Sequence, residues 1–258
     1  MSSGTVGTRK AILKARLASA GGDHSIRCAI PGCGRPTMRA AAQGLAPYHC
    51  RYHVEHRARH GSHWRSSYRA AELKPYLAAV SLWLAAHRSD FYVKAALGAL
   101  DGIMQSAGPA EIATRLRGVP PIERARVALA RLRDARIGPE RLLTIHLAVN
   151  ALIEEDPSSH RVREFRIVQV AKAAHRLASG THRRWRDENG NLLSEMHAYP
   201  RSSGRVLRYL GTMIERECEL VAEKHLHALL RLKVARFGSH PAIGKLAGPT
   251  PFAGSRAR

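Results

Sequence analysis

Four residues near the start of the chain have the types and the spacing of a metal site. Cys28, Cys33, Cys50 and His53 follow the pattern C-x4-C-x16-C-x2-H, and they include three of the four cysteines in the sequence. Thiolate and imidazole groups suit a tetrahedral Zn²⁺, and two close pairs joined by a loop can wrap one ion without a large core. The spacing therefore predicts a structural site with Zn²⁺ as its cofactor.

Two other interpretations of the cysteines stay open, namely unrelated buried thiols and a disulfide. No secretory signal precedes them, so we expect a reducing cytoplasm in which the thiols stay free. His56 is an alternative fourth ligand, because Cys-x5-His spacing also occurs in zinc sites. The remaining cysteine, Cys218, falls at helical spacing between Ile214 and Val221, which predicts a packed core thiol.

The residues around the ligands predict a turn and then a helix. Pro31 and Gly32 lie inside the first cysteine pair and favour a tight turn. No helix breaker separates Pro47 from Gly61, so we expect a helix that begins at Pro47. Four histidines would form a stripe on that helix. His53 would bind the zinc, and His49, His56 and His60 would either contact phosphate or face solvent.

Three short motifs accompany the ligands. The first cysteine pair ends in Cys33-Gly34-Arg35-Pro36, Gly44-Leu45 follows, and the second pair reads Cys50-Arg51-Tyr52-His53. Together they resemble a small zinc finger that is common in phage and bacterial mobile-element proteins. The likeness covers residues 26–60, with a longer loop and an insertion at 47–49. It implies a nucleic-acid-binding accessory domain, sometimes attached to a nuclease.

The charge of the chain points to a polyanionic partner. The 42 Lys and Arg exceed the 20 Asp and Glu, for a net charge of +22, and residues 1–70 contain only two acids, Asp23 and Glu55. Such an excess is typical of proteins that bind nucleic acid. We predict phosphate contacts, DNA more than RNA, from a set of arginines in the finger: Arg35, Arg39, Arg51, Arg57 and Arg59.

Beyond the finger the apolar residues recur with the period of a helix, which predicts an all-helical domain of about six helices. Its expected inward residues include Tyr76, Val80, Trp83, Val93, Leu97, Leu100, Met104, Ala125, Leu129, Leu132, Leu142, Ile145, Val149, Ile153, Phe165, Val168, Ala171, Leu177, Leu207, Leu210, Ile214, Cys218, Val221 and Leu229. A short helix is expected at about 109–117. The acidic run Glu154-Glu155-Asp156 is interpreted as a solvated helix end.

One β-hairpin interrupts this pattern at about 181–199, where Asn189-Gly190 separates two extended stretches. There Trp185 and Arg184 are a second candidate nucleic-acid contact, although such a Trp also docks hairpins onto helices. The fold class is therefore mainly α. We expect a disordered basic arm at 1–25, a zinc finger at 26–62, the helical domain at 63–237 and a disordered tail at 238–258.

The sequence argues against several enzyme classes. It has no P-loop and no Gly-x-Ser-x-Gly turn, and Asp23-His24 lacks the Asn of a His-Asn-His nuclease, because no Asn precedes Asn150. We expect a non-catalytic, cytoplasmic nucleic-acid-binding protein without a membrane span. The alternatives are a protein-interaction adaptor that docks a partner through its helical domain, and a metal-dependent nuclease.

Overall fold

The computed structural model describes residues 27–41, 44–46, 48–178, 181–198 and 204–242. The predicted basic arm at 1–25 and the end of the predicted tail, after 242, lie outside the described residues. The chain divides into two compact units, one up to Glu55 and the other from His56 onward. None of the described helices combines the length and the apolar run that crossing a bilayer requires.

The described part of the chain is mainly helical, as predicted. A short antiparallel ribbon of β1 (Met38–Ala41) and β2 (Gly44–Ala46) precedes the first helix. The helices are α1 (Arg51–His60), α2 (Ala70–Ala86), α3 (Phe91–Gln105), α4 (Pro121–Asp134), α5 (Pro139–Glu155), α6 (Arg163–His175) and α7 (Gly204–Phe237).

The short helix predicted at about 109–117 forms only in part, as a 3₁₀ helix at Ala113–Leu116. Pro109 lies on one side of it, and on the other Gly118 has a φ of +83°, which a helix does not accommodate. The stretch between them allows about two helical turns, a length at which an isolated α-helix is only marginally stable.

Between α6 and α7 the backbone forms β3 (Thr181–Arg186) and β4 (Leu192–Ala198), which pair antiparallel. The connection closes through Asp187, whose carbonyl accepts from the Gly190 amide at 3.0 Å and whose carboxylate accepts from the Asn191 amide at 2.8 Å. Gly190 has a φ of +83°, which favours glycine at this position.

Helix α5 is the centre of the second unit. Every residue from 142 to 153 is buried, and α2, α3, α6 and α7 all pack against it. The prediction of one apolar face was therefore too narrow, because a helix that is apolar on nearly all sides is surrounded by others. Two of the polar exceptions are satisfied locally: the Asn150 amide donates to the His146 carbonyl at 2.8 Å, and the Thr144 hydroxyl donates to the Glu140 carbonyl at 2.7 Å.

The predicted core is largely confirmed. Almost every residue expected to point inward is buried, and the two exceptions, Leu97 and Leu177, are half-buried and pack against the same core. Cys218 is fully buried, as its helical spacing predicted. Burial also raises the pKa of its thiol far above the usual range, so this cysteine is a packed hydrophobic group.

Two glycines allow close backbone packing around α6. Gly61 follows the last residue of α1 with a φ of +78°, and a Cβ there would lie 2.6 Å from the Glu164 carbonyl oxygen. Gly211 of α7 lies so close to the Ile167 carbonyl that a Cβ would overlap it. Both positions therefore require glycine for steric reasons.

The predicted solvated helix end is wrong for Glu155, which is the acceptor in a buried ion pair. Its carboxylate pairs with Lys233, whose side chain is 2% exposed, and it accepts from the Tyr76 hydroxyl at 2.6 Å and from the His240 amide at 2.7 Å. The Lys233 ammonium also lies 4.3 Å from the centre of the Tyr76 ring. The hydrogen bond from the His240 amide therefore holds the start of the predicted tail, residues 238–242, against the end of α5.

The neighbouring Asp156 is buried as well. Its carboxylate accepts from Arg65 at 2.7 Å, from the Tyr68 hydroxyl at 3.0 Å and from the Ser158 hydroxyl at 2.8 Å. Only Glu154 behaves as predicted, since its pair with Arg161 is exposed on both sides. Of the three consecutive acids, Glu154 is therefore exposed, whereas the side chains of Glu155 and Asp156 are buried beside cations from distant parts of the chain.

We predict that Glu155→Gln destabilises the protein by about 3–5 kcal/mol, because it leaves the Lys233 ammonium buried without its counter-charge. The matched control is Glu154→Gln, which removes an exposed pair and should cost about 0–1 kcal/mol. Urea unfolding followed by circular dichroism measures both. Equal effects of the two substitutions would contradict a buried, paired Glu155.

The same carboxylates set the acid limit of stability. Burial raises the pKa of Glu155, but Lys233 and Tyr76 outweigh it and hold that pKa below its ordinary value of 4.5. The pKa of Asp156 is also lowered, because hydrogen bonds from Ser158 and Tyr68 outweigh burial. A carboxyl group whose pKa is lower in the folded than in the unfolded protein stabilises the fold at any pH above its ordinary pKa. This stabilisation is lost as the pH falls towards and through the pKa of the folded protein. We therefore expect the free energy of unfolding to fall below about pH 4.5, and less steeply in Glu155→Gln.

Candidate metal centre

The structure brings the four predicted ligands together. One ligand atom from each of Cys28, Cys33, Cys50 and His53 lies within 4.8 Å of all the others. His53 Nδ1 is 3.2 Å from Cys28 Sγ and 3.4 Å from Cys50 Sγ, and the sulfurs of Cys33 and Cys50 are 3.7 Å apart. A tetrahedral Zn²⁺ with ordinary bond lengths separates two sulfurs by about 3.8 Å and sulfur from nitrogen by about 3.6 Å. The cluster therefore has the dimensions of a tetrahedral metal site.

Backbone hydrogen bonds position the first pair. The Cys33 amide donates to the Ile30 carbonyl at 3.1 Å, and the Cys28 amide donates to the Arg35 carbonyl at 2.9 Å. Gly32 and Gly34 both have positive φ, at +75° and +60°, which lets the loop turn twice within a few residues. The predicted tight turn between the cysteines is confirmed, and it directs both sulfurs to one point.

The start of α1 positions the second pair, but not as predicted. The helix begins at Arg51 and not at Pro47, because the Tyr48 carbonyl accepts from the Ala29 amide at 2.8 Å and holds that segment in the loop. Cys50 then precedes the helix, and its carbonyl accepts from the Val54 amide at 3.0 Å. Cys50 and His53, three residues apart, consequently face the same side of the first turn.

The electrostatics of the cluster favour a bound cation. Burial raises the pKa of the Cys28 thiol, but backbone amides of Cys50 and Ile30 outweigh it, and the pKa lies below the ordinary 9.0. The pKa of Cys50 is lowered in the same way, mainly by the His53 amide acting against burial. The Arg35 amide lowers the pKa of Cys33, but burial and the two neighbouring sulfurs outweigh it and raise that pKa. Several thiolates at such distances repel one another unless a cation lies between them.

The donor set is complete without an external ligand. Three thiolates and one imidazole fill four tetrahedral positions, whereas a catalytic site keeps one position for water or substrate. Cys28, Cys50 and His53 are buried and Cys33 is partly exposed. All four cysteines are free thiols in this structure. The arrangement can hold a metal ion in a structural role.

An exposed tyrosine and an exposed arginine adjoin the cluster. The Tyr52 ring contacts the His53 ring edge-on at 5.0 Å, and the Arg35 guanidinium lies 5.0 Å from the centre of the Tyr52 ring. Tyr52 is 55% exposed and Tyr48 is 67% exposed. Neither tyrosine was singled out from the sequence. An aromatic residue next to a metal ligand in an arginine-rich loop was the available signal.

The predicted phosphate-binding arginines have different surroundings. Arg35 and Arg51 are exposed, although Arg51 donates to Glu55 at 2.9 Å. Arg59 is exposed on α1. Arg57 instead donates to Glu164 at 2.8 Å. The Arg39, Arg184 and Trp185 side chains lie outside the part of the chain that is described.

The four histidines of the predicted stripe also have different surroundings. His49 precedes α1, and His53 faces the cluster. His56 lies 2.8 Å from the Ser62 carbonyl oxygen, so its hydrogen bonding is within the second unit and it does not replace His53. The His60 ring nitrogen lies 2.9 Å from the Ser67 hydroxyl, and burial, with the nearby Lys172, lowers its pKa to about 4. His60 is therefore neutral near pH 7.

No protein-family model, no curated protein and no solved structure matches this chain. The resemblance of residues 26–60 to a mobile-element zinc finger accordingly rests on its motifs and on the cluster that they form.

We predict that the protein binds one equivalent of Co²⁺ and develops the intense thiolate-to-metal absorption of a site with several cysteine ligands. Cys50→Ser should abolish this band, because it removes one of the three candidate thiolate ligands. Cys218→Ser is the matched control, since it removes a buried thiol that is not part of the cluster. A titration followed by ultraviolet and visible absorption checks both, and a band that persists in Cys50→Ser would contradict the site.

Proposed function

We propose that the protein is a non-catalytic nucleic-acid-binding protein, with DNA as the preferred partner, and that a structural Zn²⁺ organises the binding surface. The observation that carries this proposal is the run of contacts from Arg35 to Tyr52 to His53, which links an exposed cation and an exposed ring to a candidate metal ligand. Zn²⁺ suits the donor set, because three thiolates and one imidazole select a borderline-soft ion.

The surface around the cluster is strongly basic. Arg27, Arg35 and Arg51 are exposed there, and Glu55 is the one acid among the described residues of the first unit. Guanidinium groups pair bidentately with phosphate. Binding through them releases counterions, so the affinity is expected to fall steeply with added salt.

The tyrosines provide a second mode of contact. An exposed aromatic ring flanked by arginine stacks on a base while the guanidinium contacts the backbone. Tyr52 and Arg35 have this arrangement, and Tyr48 adds a further exposed ring. Stacking of this kind tolerates any base, which favours binding with little sequence preference.

The ion pairs of two finger arginines differ in burial, because Arg51 pairs with the exposed Glu55 whereas Arg57 pairs with the less exposed Glu164. The Glu164 carboxylate accepts from both Arg57 and Arg208, and burial of Glu164 is outweighed by these two cations, which lower its pKa. Arg57 therefore stabilises the second unit, and we assign the phosphate contacts first to Arg35 and Arg51.

The test is fluorescence anisotropy of a labelled 20-base-pair DNA across a salt series. Arg35→Gln/Arg51→Gln should weaken binding and reduce the slope of log affinity against log salt by about 2, because each phosphate contact contributes about 0.9. The control is Arg231→Gln/Arg236→Gln, which removes the same charge from exposed positions of α7. Tyr52→Ala should cost about 1–3 kcal/mol on single-stranded DNA.

Other outcomes would identify another function. If the wild-type protein does not bind DNA at moderate salt, the adaptor hypothesis replaces the proposal. If the DNA is degraded after Mg²⁺ or Mn²⁺ is added, the nuclease hypothesis replaces the proposal. If the control pair weakens binding as much as Arg35→Gln/Arg51→Gln, the binding surface is not at the metal cluster. Tighter binding of an RNA of the same length would overturn the preference for DNA.

A further inference from the structure

A pocket of about 200 Å³ opens in the second unit among α2, α5 and α6. The apolar part of its lining consists of Leu73, Leu77, Ile145, Val149 and Leu177. An apolar protein cavity of about 150 Å³ takes up a benzene molecule. The space therefore suits one aromatic ring or a short acyl chain.

The charged side chains of the lining are all cationic. Arg69, Arg141, Lys172 and Arg176 line the pocket, and no Asp or Glu does. Arg141 and Arg176 are exposed, and neither forms an ion pair with an acid among the described residues. Four positive charges around an apolar pocket create a potential that attracts an anion.

Among these cations, Lys172 is held in position by contacts within the second unit. Its ammonium donates to the Ser67 hydroxyl at 2.7 Å and lies 3.3 Å from His60 Nδ1. An ammonium has three N–H donors, so these two contacts leave the third for a ligand. Burial, and then Arg176 and Arg59, lower the pKa of Lys172 to about 8. An anionic group beside it would relieve this unfavourable burial of charge.

A shallower groove continues from the pocket along α2. It shares Ala70, Leu77 and Arg141 with the pocket and adds Lys74 and Ser81. A ligand longer than the pocket consequently has room to extend past Arg141 along a surface that remains partly apolar and basic.

We infer that this pocket binds a small organic anion, whose apolar body lies against Leu73 and Ile145 while Arg141, Lys172 and Arg176 hold its head group. Charge and apolar contact act at opposite ends of one molecule, so the ligand class is an amphipathic carboxylate or phosphate monoester. Neutral and cationic molecules with the same apolar body lack the complementary head group.

Isothermal titration calorimetry on the full-length, metal-loaded protein tests this with four probes of equal chain length: octanoate, octyl phosphate, octanol and octylammonium. We expect saturable 1:1 binding of at least one anion. Octanol should bind at least about 10-fold more weakly, because it lacks the charged head. The two anions distinguish a carboxylate from a phosphate source. Binding of neither anion, or equal binding of octanol, overturns the proposal.

Variants locate the site. Arg141→Gln and Arg176→Gln are exposed changes that should each weaken anion binding by about 10-fold, the effect of losing one charged hydrogen bond. Arg231→Gln removes one exposed positive charge away from the pocket and should leave the affinity unchanged. Ala173→Leu fills the pocket without altering its charge and should weaken binding while the helical circular dichroism is retained. Unchanged affinity in Ala173→Leu, or equal weakening in Arg231→Gln, would place the anion elsewhere.

Discussion

A helix that is buried on every side has to satisfy its polar end inside the protein, and this constraint organises the second unit. The apolar stretch of α5 ends at Glu155 and Asp156. The charges that neutralise these acids come from Lys233 near the end of α7 and from Arg65 before α2. Each pair therefore joins the centre of the core to a distant part of the chain, and the segments around 65 and 240 take their positions from it.

Periodic patterns were sufficient to predict much of the core. Residues such as Tyr76, Leu129 and Phe165 are buried because the helical period aligns them with their apolar neighbours, and that information is local. The surroundings of Glu155 were not predictable in this way. Three consecutive acids look solvated, and the burial of one depends on Lys233, 78 positions later. The start of α1 was misplaced for a similar reason, since a contact to the Tyr48 carbonyl decides it.

The grouping of Cys28, Cys33, Cys50 and His53 was predicted to the residue, because coordination geometry restricts both the types and the spacing of metal ligands. The pocket was not predicted from the sequence. Arg141, Lys172 and Arg176 are three cations among 42, and only the packing of α5 and α6 brings them together. Because arginines are so abundant, the structural role of Arg57 was also not predictable from the sequence. In a chain this basic, the number of arginines says little about which ones bind a ligand, and the acids nearby say more.

The four cysteines differ in what would expose them to an alkylating reagent. Three belong to the metal cluster, and their reactivity depends on whether an ion holds the sulfurs. Cys218 is sealed in the core of the second unit, so its reaction requires that core to open. Pulse alkylation followed by mass spectrometry can thus follow metal release and core unfolding as two separate events in one sample of the native sequence.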